Sequence, residues 1–459
     1  LNGGICSTSF STAVCVEVAV DESAWGIRLD CSAPSLLNPP ASPPALPFRI
    51  ESSLDNNATT KPTPEVVAAV VDALSNRWHN PSSTHRPGQA ARAAVELARR
   101  DLADLLGVRA RELVLTSGGT ESIDLAFRGT LGAFRTRQHA TGPARLITSK
   151  VEHTAVRDVA GELERSGAAK VDDLPLDRQG RVDVETLRAL LHDPSFGFTL
   201  VSVQWANNET GVVQPVEAVH ATCAEHGAIF HCDAVQWVGR LPVTADPAPA
   251  SGDAMPAHRH ARTGLPPCDL LTFSAHKFHG PKGVGGLWIR QGVKVRPVLG
   301  GTQELGRRGG TENVPGIVGA GVAAAQAREW LEDAADRARL AAMRDAFERH
   351  VLEACPGSVV NGAGAARLWN TTNIAFPRLE AEAILMGLSE LGVCASAGAA
   401  CSSGSLDPSP VLLAMGVPEP LAHGSIRFSL SRFTTREELD QAVKAVVTVV
   451  GRLRATVQG

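Results

Sequence analysis

The stretch LTFSAHKFHGPKGVGGLW, Leu271 to Trp288, drives an apolar run into a single lysine, sets a histidine on either side of it, and follows with four glycines. Lys277 falls where a buried strand should end. A lysine there is either a charge stranded beside a core or a nucleophile waiting for a partner. A lysine amine attacks carbonyl carbons to form Schiff bases, and the cost of burying its charge largely disappears once the amine becomes an imine. The glycines that follow are expected to let the backbone turn tightly beside a bulky bound group.

Other polar clusters could complete such a site. SGGTES puts Gly118, Gly119 and Thr120 where a helix should start, and free N–H groups with the helix dipole make a seat for phosphate. Ser274 and His276 could add donors to it. DAVQ ends a strand with Asp233 and Gln236, and VEHTAV offers His153. Each has an ordinary reading by itself: Gly-Thr turns cap many helices, an Asp at a strand end caps the next turn, and a lone histidine is usually structural. Together they supply what pyridoxal 5'-phosphate (PLP) requires, namely an amine, a phosphate cradle and a carboxylate for the pyridinium nitrogen.

The elements that must carry these residues repeat. ELVLTSGGTES, ARLITSKVEHTAV, FTLVSVQWANNETG, GAIFHCDAVQ and CDLLTFSAHK each open on a short apolar or β-branched run and end in a polar cluster, and helical patterns separate several of them. Such units predict an α/β fold with a mostly parallel sheet, whose ligands bind beyond the carboxyl ends of the strands. Helices are expected in PEVVAAVVDALSNRW, in GQAARAAVELARRDLADLLG ending at Gly107, and as one long element in AGVAAAQAREWLEDAADRARLAAMRDAFERHVLEA. At 459 residues the chain exceeds one ordinary core. Residues 1–48, with the proline-rich LLNPPASPPALP, read as a loosely ordered N-terminal extension. Residues 63–330 read as a large domain with an inserted Pro/Ala/Gly-rich loop at 244–267, and residues 49–62 with 331–459 as a smaller α+β domain. His258 and His260 in the loop lack further ligands, so no metal site is expected.

A net charge of −4 with both signs spread along the chain gives no nucleic-acid stripe and no membrane-attracted face. No apolar run approaches the length of a membrane span. Nine scattered cysteines without CxxC pairs read as reduced thiols, which points to the cytoplasm.

Ten ordered blocks resemble the cysteine desulfurases, a branch of the class V, fold-type I PLP enzymes, over about residues 52–436: LDNNATT (54–60), NPSSTHRPG (80–88), TSGGTES (116–122), EHTAV (152–156), WANNETG (205–211), HCDAVQ (231–236), SAHKFHGPKGVGGL (274–287), RRGGTENVPGIVG (307–319), SAGAACSSGS (396–405) and GSIRFSLSRFTT (424–435). The resemblance implies a seven-stranded, mostly parallel sheet in the PLP-binding domain and a smaller domain carrying a cysteine loop. It implies that Lys277 anchors the cofactor and moves the α-proton. His153 would stack on the ring and assist proton transfer, Asp233 would bond the pyridine nitrogen, and Gln236 the ring hydroxyl. Asn208 would sit near that hydroxyl and the substrate. Gly119, Thr120, Ser274 and His276 would hold the phosphate, and Thr311 would reach the phosphate of a neighbouring subunit, which implies a homodimer. Arg427 would take the substrate carboxylate, a task suited to a planar guanidinium. Cys401 would accept sulfur from L-cysteine as a persulfide, leaving L-alanine, and pass it to an acceptor or iron–sulfur scaffold protein. Cys394 reads as a packing residue.

The sequence departs from that pattern in small ways. Gly119 stands where relatives usually carry Ala, SAGAAC replaces a more usual Ser-Gly-Ser-Ala-Cys, and no aromatic precedes Leu54-Asp55. A class V aminotransferase, a selenocysteine lyase, or a non-catalytic sulfur-transfer scaffold of the same fold remain alternatives. The intact set of Lys277, Asp233, His153 and Arg427 argues against the last.

Overall fold

The computed structural model describes residues 52–136, 142–243, 265–398 and 407–458. The N-terminal extension, most of the 244–267 loop with His258 and His260, and Cys401 lie outside the described residues.

In chain order the strands are β1 (Ser52–Ser53), β2 (Leu113–Thr116), β3 (Ala144–Ser149), β4 (Lys170–Leu174), β5 (Phe198–Gln204), β6 (Ile229–Asp233), β7 (Leu270–Ser274), β8 (Gly285–Ile289), β9 (Val359–Val360), β10 (Thr371–Ala375), β11 (Val393–Cys394) and β12 (Ser425–Ser429). Seven of them form one sheet in the order β2-β8-β7-β6-β5-β3-β4. The pairs β3/β4, β3/β5, β5/β6 and β6/β7 are parallel. β8 runs against both of its neighbours, so it alone is reversed. β2, β3, β7 and β8 are buried along their whole length, as strands covered on both faces must be. Helices cover both faces and leave an apolar core on each. Among the described residues no helix is long and apolar enough to cross a membrane.

The fold-class expectation of a mostly parallel seven-stranded sheet is met. The helix at Arg86–Leu106 does end at Gly107, which takes the left-handed conformation that favours glycine, φ 70°. The long C-terminal helix differs from expectation. It is two helices, Val314–Leu331 and Ala334–Ala354, because the Asp333 carboxylate accepts the Asp336 N–H and caps a new start.

A second set of strands lies outside the large sheet. β12, β10 and β9 form an antiparallel three-stranded sheet, and β1 pairs in parallel with β11. A separate apolar cluster, which includes Leu54, Phe347, Ile374, Phe428 and Val446, packs around them.

Candidate active site

Successive strands of the large sheet deliver the site residues from the same edge. β6 ends on Asp233; β7 ends on Ser274 and passes into one 3-10 turn, Ala275–Lys277. β2 gives way to the helix Gly119–Arg135, whose first-turn N–H groups have no intrahelical acceptor. β3 leads to the helix Thr154–Arg165, capped by His153. These ends surround one cavity of about 420 Å³ lined by Gly119, Thr120, His153, Asn208, Asp233, Gln236, Ser274, His276, Lys277 and Arg427. Ten of the expected site residues thus meet in one place. Thr311 is exposed and does not line this cavity.

Lys277 Nζ donates to two carbonyls, Asn57 O at 2.6 Å and Ala58 O at 2.7 Å. Burial, helped by the nearby Arg240 and Arg427 cations and opposed by Asp55 and Asp233, lowers its pKa to about 7. An amine so placed is half neutral at physiological pH, which is what attack on an aldehyde needs. Asp233 is buried and Oδ1 accepts the Val235 N–H at 3.0 Å. Burial raises its pKa, against the opposing pull of His153 and Lys277.

His153 Nδ1 accepts the Ala155 N–H at 3.1 Å, so a neutral ring carries its proton on Nε2. Burial pushes the imidazole below its ordinary pKa, with Lys277 adding to the effect and Asp233 opposing it. His276 is likewise pushed down, to about 4, chiefly by burial and then by Lys277, and its Nδ1 lies 3.2 Å from Thr59 Oγ1. Gln236 Nε2 donates to Asn57 O at 3.0 Å, and its Oε1 accepts from the buried Arg240 guanidinium.

Arg427 is 2% exposed. Its guanidinium donates to Asp55 Oδ1 at 2.6 Å and to Asn208 O at 3.1 Å, while Nε is buried without a partner. An arginine held on one edge by protein and lacking a partner on another is ready for a carboxylate.

Two of the glycines after Lys277 serve the tight turn expected, Gly283 with a φ of 78° and Gly280 with its N–H donating to Ala275 O at 2.9 Å, while Gly285 and Gly286 have a different task. None of them lines the cavity. A Cβ on Gly285 would stand 2.6 Å from Gly118 Cα and 2.7 Å from Phe273 O, and one on Gly286 would stand 2.5 Å from the Phe273 ring. They let the reversed strand β8 press against the turn that opens the helix Gly119–Arg135.

Several residues of the site were not singled out from sequence. Asn57 connects it: its N–H donates to Ser429 Oγ, its Nδ2 donates to Asn208 O and Thr371 Oγ1, and its carbonyl accepts from Lys277 and Gln236. Glu152 and Glu209 are buried carboxyls on the cavity wall, and Arg157 lines it with them. Asn57, Glu152 and Glu209 lie inside motif blocks, yet nothing in the sequence says that they are buried. Arg157, one residue past EHTAV, carries no sequence signal beyond its place one turn after His153.

The donor set fits PLP. Helix N–H groups, hydroxyls and His276 offer donors to a phosphate, Asp233 offers a buried carboxyl to a ring nitrogen, and Lys277 offers an amine of lowered pKa to an aldehyde.

The model of the aminotransferase class-V family matches residues 53–250 and 253–442. The chain is 45% identical over 403 residues to "Cysteine desulfurase 2" of Trichormus variabilis, covering 88% of this chain and 94% of that one. It is 41% identical to "Cysteine desulfurase NifS" of Azotobacter vinelandii, covering 87% and 93%. A solved "NIFS-LIKE PROTEIN" superimposes with a TM-score of 0.75 at 33% identity, over 88% of this chain and all of that one. The chain belongs to the aminotransferase class-V family.

Proposed function

We propose that this protein is a PLP-dependent cysteine desulfurase that converts L-cysteine to L-alanine and carries the sulfur as a persulfide on Cys401. The observation that carries this reading is the convergence of Lys277, His153, Asp233, Arg427 and the N-terminus of the helix Gly119–Arg135 on one cavity. The likeness to chains named cysteine desulfurase over most of their length supports it.

When bound, PLP supplies an aldehyde for amines and a ring that takes up an electron pair. The chain supplies the rest. Gly119, Thr120, Ser274 and His276 hold the phosphate, Gln236 and Asn208 meet the ring hydroxyl, and Asp233 keeps a proton on the ring nitrogen. Lys277 Nζ is the anchoring amine, and when free it moves the proton of the substrate α-carbon. His153 lies against the ring and holds a proton at Nε2. Arg427 fixes the α-carboxylate, so that the substrate side chain has one direction to point. A free cysteine is only a few per cent thiolate at neutral pH, with a pKa of about 8.5. Cys401 therefore gives up its proton to the substrate before it takes the sulfur.

Residues 63–330 form the PLP-binding domain in this reading, and 49–62 with 331–459 the smaller domain that bears Cys401. The parallel pairing of β1 with β11 supports that grouping of the two ends. The protein works as a cytoplasmic homodimer in which Thr311, exposed on its own subunit, serves the phosphate of the other. The sulfur passes to an acceptor or scaffold protein for iron–sulfur cluster assembly or another thiolation.

The test is incubation of PLP-loaded protein with L-cysteine and a reductant, with alanine and sulfide measured together. Cys401→Ala is expected to keep the cofactor absorbance and lose sulfide release. Lys277→Ala is expected to lose turnover. Sulfide release by Cys401→Ala at the native rate would rule out the persulfide route.

A further inference from the structure

Three arginine or lysine side chains line the cavity: Arg157, Lys277 and Arg427. Lys277 and Arg427 have hydrogen-bond partners. The Arg157 guanidinium has no hydrogen bond or ion pair among the described residues, and its Nε is buried without a partner. Orphaning a buried guanidinium nitrogen is costly unless an acceptor arrives.

Two buried carboxyls on the cavity wall that feel its charge are poor acceptors for it. Glu152 is fully buried, and its Oε1 accepts the Gln204 N–H at 3.0 Å and the Ser149 hydroxyl at 3.1 Å. Burial raises its pKa to about 8, with Asp233 adding and Arg157 opposing only weakly, so it is mostly neutral at pH 7. Glu209 Oε2 accepts the Ser409 hydroxyl at 2.6 Å, and burial raises its pKa against the weaker pulls of Arg427 and then Arg157. The Arg157 guanidinium is left without an ion-pair or hydrogen-bond partner among the described residues, on the wall of the space where a substrate sits.

Its position says which part of a substrate it meets. Arg157 lies one helical turn beyond His153, to whose carbonyl its backbone N–H donates at 3.2 Å, so the two side chains share a helix face. Arg157 and Arg427 line the same cavity, one from the helix after β3 and the other from β12. An α-amino acid whose carboxylate is on Arg427 lies in the same space that Arg157 borders.

We propose that Arg157 is a specificity-determining residue that binds the ionised sulfur group of the substrate side chain while Arg427 holds the α-carboxylate. The inference rests on the reading of the cavity as an amino-acid site given above. Arg157 selects a thiolate over a thiol and favours any side chain ending in an anionic sulfur group. Nε and an adjacent Nη can fork onto one sulfur or onto two oxygens of a sulfur acid.

The test uses the PLP-loaded protein and the cofactor absorbance as the readout of binding. L-Cysteate, with a sulfonate side chain, and L-alanine, with none, are titrated into the wild type, Arg157→Met and Arg157→Lys. Arg157→Met is expected to weaken L-cysteate by about tenfold or more while leaving L-alanine unchanged, as for loss of a charge-assisted hydrogen bond. Arg157→Lys is expected to recover part of the loss, because it restores the charge without the fork. Unchanged cysteate-to-alanine ratios in both variants would overturn the role of Arg157 and leave the amino-acid site standing. A wild type whose absorbance answers neither these ligands nor L-cysteine would overturn the amino-acid site itself, and the inference with it.

Discussion

The two ends of the cavity are built from different materials. At the Gly119 end the wall is backbone: a helix start, a strand end, and glycines that bring β8 against the turn. At the Arg427 end it is long charged side chains from distant parts of the chain: Asp55 against Arg427, Glu209 against Ser409, and Arg157 without a partner. The first end holds a fixed shape by steric exclusion. The second tolerates changes of volume and responds to changes of charge. A cofactor that stays can be met by the first kind of wall, and a substrate that enters and leaves by the second.

The largest test concerns Lys277, whose pKa of about 7 reflects its burial beside the Arg240 and Arg427 charges. A lowered pKa means that the amine is neutral above pH 7 rather than above its ordinary value of 10.5. Its neutral fraction at pH 7 is then about a thousandfold that of an ordinary lysine. PLP incorporation into apoprotein, followed by absorbance, is expected to rise with pH up to about 7 and then level off. A rate still climbing through pH 9 would contradict it.

Gly285→Ala attacks the backbone-built end. Its Cβ would meet backbone atoms of Gly118 and Phe273, which cannot move aside cheaply. A stability loss of about 1–3 kcal/mol is expected from overpacking, together with weaker PLP retention. Thermal melting and dialysis of the coloured protein would read both, and unchanged values would remove the distinction between the two ends.

At the other end, Arg427→Lys keeps the charge and loses the fork. KM for L-cysteine is expected to rise by about tenfold with a smaller change in kcat. Steady-state alanine formation measures the split. Ser409→Ala sharpens the comparison with a stability loss of about 1–2 kcal/mol, from the lost hydrogen bond to Glu209 and the lost cap on the Val411 and Leu412 N–H groups. Denaturant unfolding would resolve it.

The sequence shows the backbone-built end more clearly than the side-chain-built one. Asp233, Ser274, His276 and Lys277 each follow an apolar run directly, so a strand period and a parallel sheet put them at one edge. The same logic placed Gly119 and Thr120 at a helix start. Glu152, Glu209 and Asn57 escaped it because their importance lies in burial and in partners far along the chain. Asn57 reaches Ser429, a separation of 372 residues, and no local pattern encodes that. Arg157 escaped for a different reason: its distinguishing property is the lack of a partner, which only three dimensions reveal. The glycines after Lys277 are visible as a cluster, but the steric role of Gly285 and Gly286 depends on β8 being reversed, a topological fact.

The carbonyls that hold the Lys277 amine belong to Asn57 and Ala58, and Asn57 is itself tied to Ser429 on β12. The reactive amine is thus referenced to segments 372 residues apart in the chain. A polypeptide emerging from the ribosome cannot finish this pocket until β12 has been synthesised, and long-range closures of this kind come late in folding. Cofactor capture in its final geometry is therefore deferred until β12 has been made, which keeps a chain lacking that strand from presenting a working site.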